Sequence, residues 1–295
     1  MKNFILYSIK LLLITFVLLV SLEFVYSNVY ACNYSRSKFQ FLRSYNNQFI
    51  DYVFLGSSRV ENAIIPNQIT SLTGKKAVNF GFQAAKLKDV LFLLKMLKEY
   101  NITNEKVLIQ IDYIYNLEDG YSNILEYNAI PFLKESNNVR AHLSSLDIEK
   151  RYLFEFPFIR YALYDQKNGF RELIANLVLK KKIYEKQKGF VKIDEHIADI
   201  QMSLPNEIIA ENNFLDEITL FAKSNDINVV FYTAPFRSNT KNLNYIQKLS
   251  EKIPNLYDFS TAIKDETLFK DGSHLNYNGA VYFTELLTQD ILLKE

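Results

Sequence analysis

The chain has 295 residues, 48% hydrophobic and 23% charged, which suits one large or two small globular domains and excludes a disordered chain. A formal net charge of +1 removes the basic excess expected of a protein that works on nucleic acid. The single cysteine, Cys32, excludes an intramolecular disulfide and a cysteine-based zinc site.

The first element is an apolar run. Residues 11–22, LLLITFVLLVSL, are interrupted only by Thr15 and Ser21, and Lys2 and Lys10 precede them. Extended back to Phe4 the run is 19 residues long, enough to cross a bilayer if Lys10 reaches toward the headgroups. Lysines on the N-terminal flank predict a single-pass anchor with its N-terminus cytoplasmic and everything after it extracytoplasmic. The alternative is a signal peptide cleaved after Val29-Tyr30-Ala31, leaving a secreted or periplasmic protein. Residues 1–30 are thus the anchor or signal segment, 31–48 a connecting helix or stalk, and 49–295 the main domain.

Within that domain, strand and helix patterns alternate. DYVFLG (51–56) reads as a buried strand ending in the turn Gly-Ser-Ser-Arg, and NQITSLTG (67–74) as a short helix capped by Asn67 and closed by Gly74. AVNFGF (77–82) is a second strand and KLKDVLFLLKMLKEY (86–100) an amphipathic helix. KVLIQIDYI (106–114), INVVFYTAP (227–235) and a short segment at 256–260 supply three more strands, and YNGAVYFTELLTQDILL (277–293) the last helix, with Asn276 and Asn278 at its start. This order predicts an α/β fold with a five-stranded parallel sheet covered on both faces. About a hundred residues, from about 117 to 215, are more than one crossover needs and predict a helical insertion.

In open α/β sheets, ligands bind beyond the carboxyl ends of the strands. Four stretches converge there: Gly56-Ser57-Ser58-Arg59, Asn79-Phe80-Gly81-Phe82-Gln83-Ala84, Asp112-Tyr113, and FKDGSHLNYNGA (269–280). A serine needs a base to take its proton, and the base needs a carboxylate to fix its tautomer. Ser58 at a strand-to-helix turn, His274 and Asp271 supply these three groups.

In these motifs and their order the chain resembles the SGNH/GDSL hydrolase superfamily, and most closely its membrane-anchored exported branches, those similar to the teichoic acid D-alanine transfer protein and the alginate O-acetylation proteins. The resemblance implies a flavodoxin-like three-layer α/β/α sandwich and acyl-ester chemistry on cell-envelope or extracellular glycans. It assigns Ser58 as nucleophile, His274 as base and Asp271 as its carboxylate, with backbone N–H groups of Ser58 and Ala84 at the oxyanion. It departs from the family in three places. Ser57 stands where Asp is usual, Ala84 where a second glycine is usual, and IDYIYN lacks the usual oxyanion asparagine at its place. Gly81 and Asn116, which is slightly late, are possible oxyanion or substrate contacts. Losing an oxyanion donor costs about 10²–10³ in rate.

Ordinary roles compete for each residue. Ser57 and Ser58 can cap a helix, Asp271 can cap a turn, and His274 can be a bonded surface residue. Each motif alone favours that role; together, in order and at strand ends, they favour the catalytic one. Ser57 as nucleophile is a weaker alternative. Arg59 and Arg237 read equally as contacts for an anionic substrate group or as exposed arginines. His142 and His196 read as surface or packing residues, and the charges from Lys180 to Lys188 as a solvated helix face. The expected partners are an acylated glycan or other acyl-ester substrate, the membrane through the N-terminal helix, and an integral membrane acyltransferase, with no nucleic acid and no cofactor. The rival function is a catalytically silent domain of the same fold that binds glycan or a membrane partner in envelope assembly.

Overall fold

The computed structural model describes residues 1–32, 36–146, 155–178, 183–194 and 201–294. Helix α1 (Lys2–Ala31) is the apolar N-terminal segment, followed by α2 (Lys38–Arg43). Strand β1 (Phe49–Leu55) leads through a tight turn to α3 (Ser58–Glu61) and α4 (Pro66–Thr73); β2 (Ala77–Asn79) leads to α5 (Leu87–Glu99), and β3 (Thr103–Gln110) to a 3₁₀ turn at Tyr113–Asn116. The insertion then supplies α6 (Asn123–Ala129), α7 (Asn137–Leu146), α8 (Ile159–Leu163), α9 (Asp165–Asn168), α10 (Phe170–Leu177) and α11 (Ile183–Gln187). Helix α12 (Asn213–Ser224), β4 (Val229–Thr233), α13 (Asn244–Lys252), β5 (Tyr257–Asp258) and α14 (Tyr277–Leu287) complete the fold.

The sheet runs in the order β2-β1-β3-β4-β5 with every pairing parallel, as the alternating pattern predicts. Successive side chains of a strand face opposite ways. Val53 and Leu55 of β1 and Val107 and Ile109 of β3 therefore enter one core with α5, α12 and α13, while Tyr52, Phe54 and Leu108 enter another with α4 and α14. The α5 stripe Leu87, Val90, Leu94 and Leu97 recurs at helical spacing and is fully buried. These are the three layers of an α/β/α sandwich.

Two local expectations shift. The α4 helix starts at Pro66 rather than at an Asn67 cap, because a proline at the first helical position is already set for helical φ; Asn67 instead donates to the Lys186 carbonyl at 3.1 Å. Gly74 closes the helix in the left-handed region at φ 74°, as expected. Strand β4 is only half-buried at Val229–Phe231, since β5 pairs with it only at Tyr232 and Thr233.

The segment after α1 does not stand off from the domain. Phe39, Phe41 and Leu42 of α2 enter the core, and Lys38 is buried with its Nζ 3.0 Å from Glu61 Oε1 on α3. Helix α1 docks with its last third. Glu23, Tyr26 and Tyr30 are buried against the insertion, while most residues before Glu23 are exposed. This 30-residue helix is long and apolar enough to cross a membrane, as an anchor or a signal sequence would. His196 and Lys180 to Lys182 lie outside the described residues.

Candidate active site

The site forms at the carboxyl ends of β1, β2 and β3 and the loop after β5. At the end of β1 the chain turns on Gly56, whose φ of 150° disfavours a side chain and whose missing Cβ would lie 2.6 Å from Val60 Cγ2. Ser57 caps α3: its Oγ accepts from Arg59 N–H at 3.3 Å and donates to Gln110 Oε1 at 2.9 Å. Its hydroxyl is buried and committed, which removes the grounds for Ser57 as an alternative nucleophile. Ser58, the next residue, points elsewhere.

Ser58 Oγ lies 2.8 Å from His274 Nε2, and His274 Nδ1 lies 2.9 Å from Asp271 Oδ2 and 3.0 Å from Oδ1. With its Nδ1–H donated to the carboxylate, His274 keeps Nε2 as an acceptor for the Ser58 hydroxyl. The histidine loop is itself turned by Asp271, whose Oδ1 also accepts the backbone N–H groups of Ser273 and His274, each at 2.9 Å. Partial burial works to raise the Asp271 pKa, but the bonds from His274 and the two N–H groups outweigh it and hold the carboxyl well below its usual range. A short antiparallel bridge between Phe269 and Leu275 closes the base of the loop, and Asn276 caps α14 behind it.

The second block approaches α3 closely. A Cβ on Gly81 would lie 2.7 Å from both Glu61 N and Val60 Cβ, so this position serves packing. Asn79 is buried; its amide donates to the carbonyls of Val60 and Ile64 and accepts from Gly81 N–H. Ala84 is exposed and held at φ 59°, a left-handed conformation that glycine adopts without penalty. Neither Ala84 N–H nor Ser58 N–H takes an acceptor among the described residues.

Three expected contacts are committed elsewhere. Asn116 donates to the Glu207 carbonyl at 2.7 Å and its Oδ1 accepts from Ile209 N–H and the Tyr245 hydroxyl, so its amide closes the insertion rather than serving an oxyanion. Arg237 pairs with Glu266 and its N–H donates to the Gly272 carbonyl. Arg59 is not exposed at all: 1% of it is accessible. Its Nε lies 2.7 Å from Asp112 Oδ2, Nη1 donates to the Ser273 carbonyl at 2.6 Å, and Nη2 donates to the carbonyls of Ala234 and Pro235. The guanidinium also lies 3.7 Å over the Phe236 ring. One residue from the nucleophile position, Arg59 thus ties the loop bearing His274 to the ends of β3 and β4.

Sequence reasoning placed Asp112 at the rim without a role and passed over Gln110. Gln110 Nε2 donates to Asp112 Oδ2 at 2.6 Å while its Oε1 accepts from Ser57. Burial pushes the Asp112 carboxyl up, against the pull of Arg59. The available signal was the spacing: two polar residues two apart at the end of the apolar run 107–111 share one side of an extended chain. Tyr113, next in the chain and half-buried, is pushed up to about 12 by burial and by Asp112, with Asp271 adding to the effect, so it stands within electrostatic reach of the site. His142 is remote from these groups, buried and stacked on Phe92 at 4.1 Å.

No protein-family model matches the chain, and no curated protein matches it. Among solved structures it is similar to a proposed lipolytic protein of the G-D-S-L family from Desulfitobacterium hafniense DCB-2, at 12% identity and a TM-score of 0.40, covering 81% of this chain and 98% of that one. It is also similar to a proposed platelet activating factor from Streptococcus pneumonia, at 12% identity and a TM-score of 0.38, covering 96% of this chain and 97% of that one.

Proposed function

We propose that the chain is a serine-dependent esterase or O-acyltransferase, anchored by α1 with its domain outside the cytoplasm, that acts on acyl esters of cell-envelope or extracellular glycans. The observation that carries this reading is the line from Ser58 Oγ to His274 Nε2 and from His274 Nδ1 to Asp271. Ser58 Oγ attacks the acyl carbonyl as His274 Nε2 takes its proton, and the Asp271 carboxylate stabilises the imidazolium that forms. The carbonyl oxygen becomes an oxyanion, for which the N–H groups of Ser58 and Ala84 are the donors. Collapse breaks the ester bond, and the departing alkoxide leaves with the proton held by His274. Water or a sugar hydroxyl then attacks the Ser58 acyl ester as His274 takes its proton, and the bond to Ser58 Oγ breaks as that proton returns to the serine. Hydrolysis and transfer share the first half of this sequence.

A second reading, a catalytically silent domain that binds glycan or a membrane partner, is favoured by one observation: the Asn116 amide is fully engaged away from the site. A serine-reactive phosphonate separates the two. Covalent labelling that disappears in Ser58→Ala and falls steeply in His274→Ala supports the enzyme. Absence of labelling in the wild-type chain supports the binding domain.

A further inference from the structure

The exposed side of the helical insertion carries an apolar face with no partner among the described residues. On α10, Leu173 and Asn176 are buried, and Leu173 packs with Tyr26 and Tyr30 of α1 and with Tyr161. Phe170, Ile174, Leu177 and Val178 recur at helical spacing on the other side and are exposed, Phe170 at 66%. Phe156, just before α8, and Leu163, at its end, are exposed as well. A group of large apolar side chains open to solvent marks an interaction surface.

What covers this face follows from its position along α1. A 30-residue helix is about 45 Å long, about 15 Å more than the hydrocarbon core of a bilayer. The surplus is the docked third. Glu23 marks the change of surroundings: its carboxylate pairs with Arg160 and Lys134, each at 2.8 Å, and accepts from Phe158 N–H at 2.9 Å. The α8 helix begins at the next residue, Ile159, so it lies where α1 leaves its apolar surroundings. On its free side α1 stays apolar past this level, through exposed Phe24 and Val25. The apolar surface of the span therefore continues beside the apolar face of α8 and α10.

We propose that the face formed by Phe156, Leu163, Phe170, Ile174, Leu177 and Val178 lies in the headgroup–acyl boundary of the bilayer that α1 crosses. The domain is then attached at two places, which fixes its orientation to the membrane instead of leaving it to pivot on one helix. This inference rests on the reading of α1 as a retained membrane span.

The chain contains no tryptophan, so single substitutions give unambiguous fluorescent reporters. The full chain is reconstituted in vesicles of phosphatidylcholine and phosphatidylglycerol, with the phosphatidylcholine brominated on the upper part of its acyl chains. Ile174→Trp reports on the face, Phe16→Trp on the span, and Tyr282→Trp, on α14 against the other side of the sheet, is the control. The expected result is blue-shifted, bromine-quenched emission from Ile174→Trp and Phe16→Trp, with Tyr282→Trp unquenched. Quenching of Phe16→Trp without Ile174→Trp overturns the inference and leaves the span intact. A blue shift at Ile174→Trp without quenching also overturns it, because a second copy or another protein then covers the face. An unquenched Phe16→Trp sinks the span and the inference together.

Discussion

Two buried arginines mark the two ends of this molecule. Arg59, beside the candidate nucleophile, directs its guanidinium at Asp112, at three backbone carbonyls and at the Phe236 ring. Arg160, in the joint between α1 and the insertion, pairs with Glu23 and donates to Ser27 and Tyr161, but its Nε and Nη1 have no hydrogen-bond partner among the described residues, whereas in Arg59 only Nε, beside Asp112, lacks one. Burying a charge is costly unless its hydrogen-bonding capacity is used. Backbone carbonyls of β4's exit and of the histidine loop cannot move independently of the fold, so Arg59 fixes the site. The acceptors of Arg160 are all side chains, Glu23 and Ser27 on α1 and the neighbouring Tyr161 hydroxyl on α8, which allows that joint to adjust.

Removing each arginine sharpens the contrast. The largest effect is expected from Arg59→Met, which leaves the Asp112 carboxylate buried without its cation and should cost about 3–5 kcal/mol in urea unfolding. Arg59→Met combined with Asp112→Leu should recover a large part of that loss; no recovery would show that the carbonyl contacts, not the ion pair, dominate. Arg160→Met should cost less, about 1–3 kcal/mol, because Lys134 remains paired with Glu23. If the two losses are equal, the distinction between a rigid site and an adjustable joint fails.

The smallest effect concerns pH. Asp271 has a folded-state pKa below its unfolded value, so the native state binds fewer protons and gains stability above the ordinary Asp range of about 4. That contribution is lost as pH falls below this range. The stability of wild type relative to Asp271→Asn should therefore decline in acid, modestly, since the carboxylate is about a quarter exposed at 24%. A constant difference across that window would show that the carboxylate is not held by the His274 loop.

Much of the sheet was legible because burial on both faces leaves apolar runs. All five strands fall within the stretches read as strands or within a few residues of them, and the parallel order follows from the alternation with helices. The functions of individual charges were not legible. Arg59 reads equally as a substrate contact or an exposed arginine in the local string Gly-Ser-Ser-Arg because its main partner, Asp112, lies 53 positions away at the end of another strand. Asn116 reads as a late oxyanion donor until the insertion folds back and engages both ends of its amide. The segment bearing Lys38 reads as a connecting helix or stalk, whereas Glu61 pairs with Lys38 in the buried interior.

By itself, then, the sequence determined what short-range chemistry determines: the layer architecture, the apolar N-terminal helix, the turn at Gly56, and the Asp271–His274 spacing that lets one carboxylate hold both a turn and a ring. Only the tertiary structure decided which polar groups are used up. A hydroxyl, amide or guanidinium keeps its capacity to act on a substrate only if no buried neighbour claims it, and those neighbours come from distant strands. Packing therefore gave Ser57 to Gln110, Arg59 to Asp112 and Asn116 to the insertion, and left the Ser58 hydroxyl facing His274.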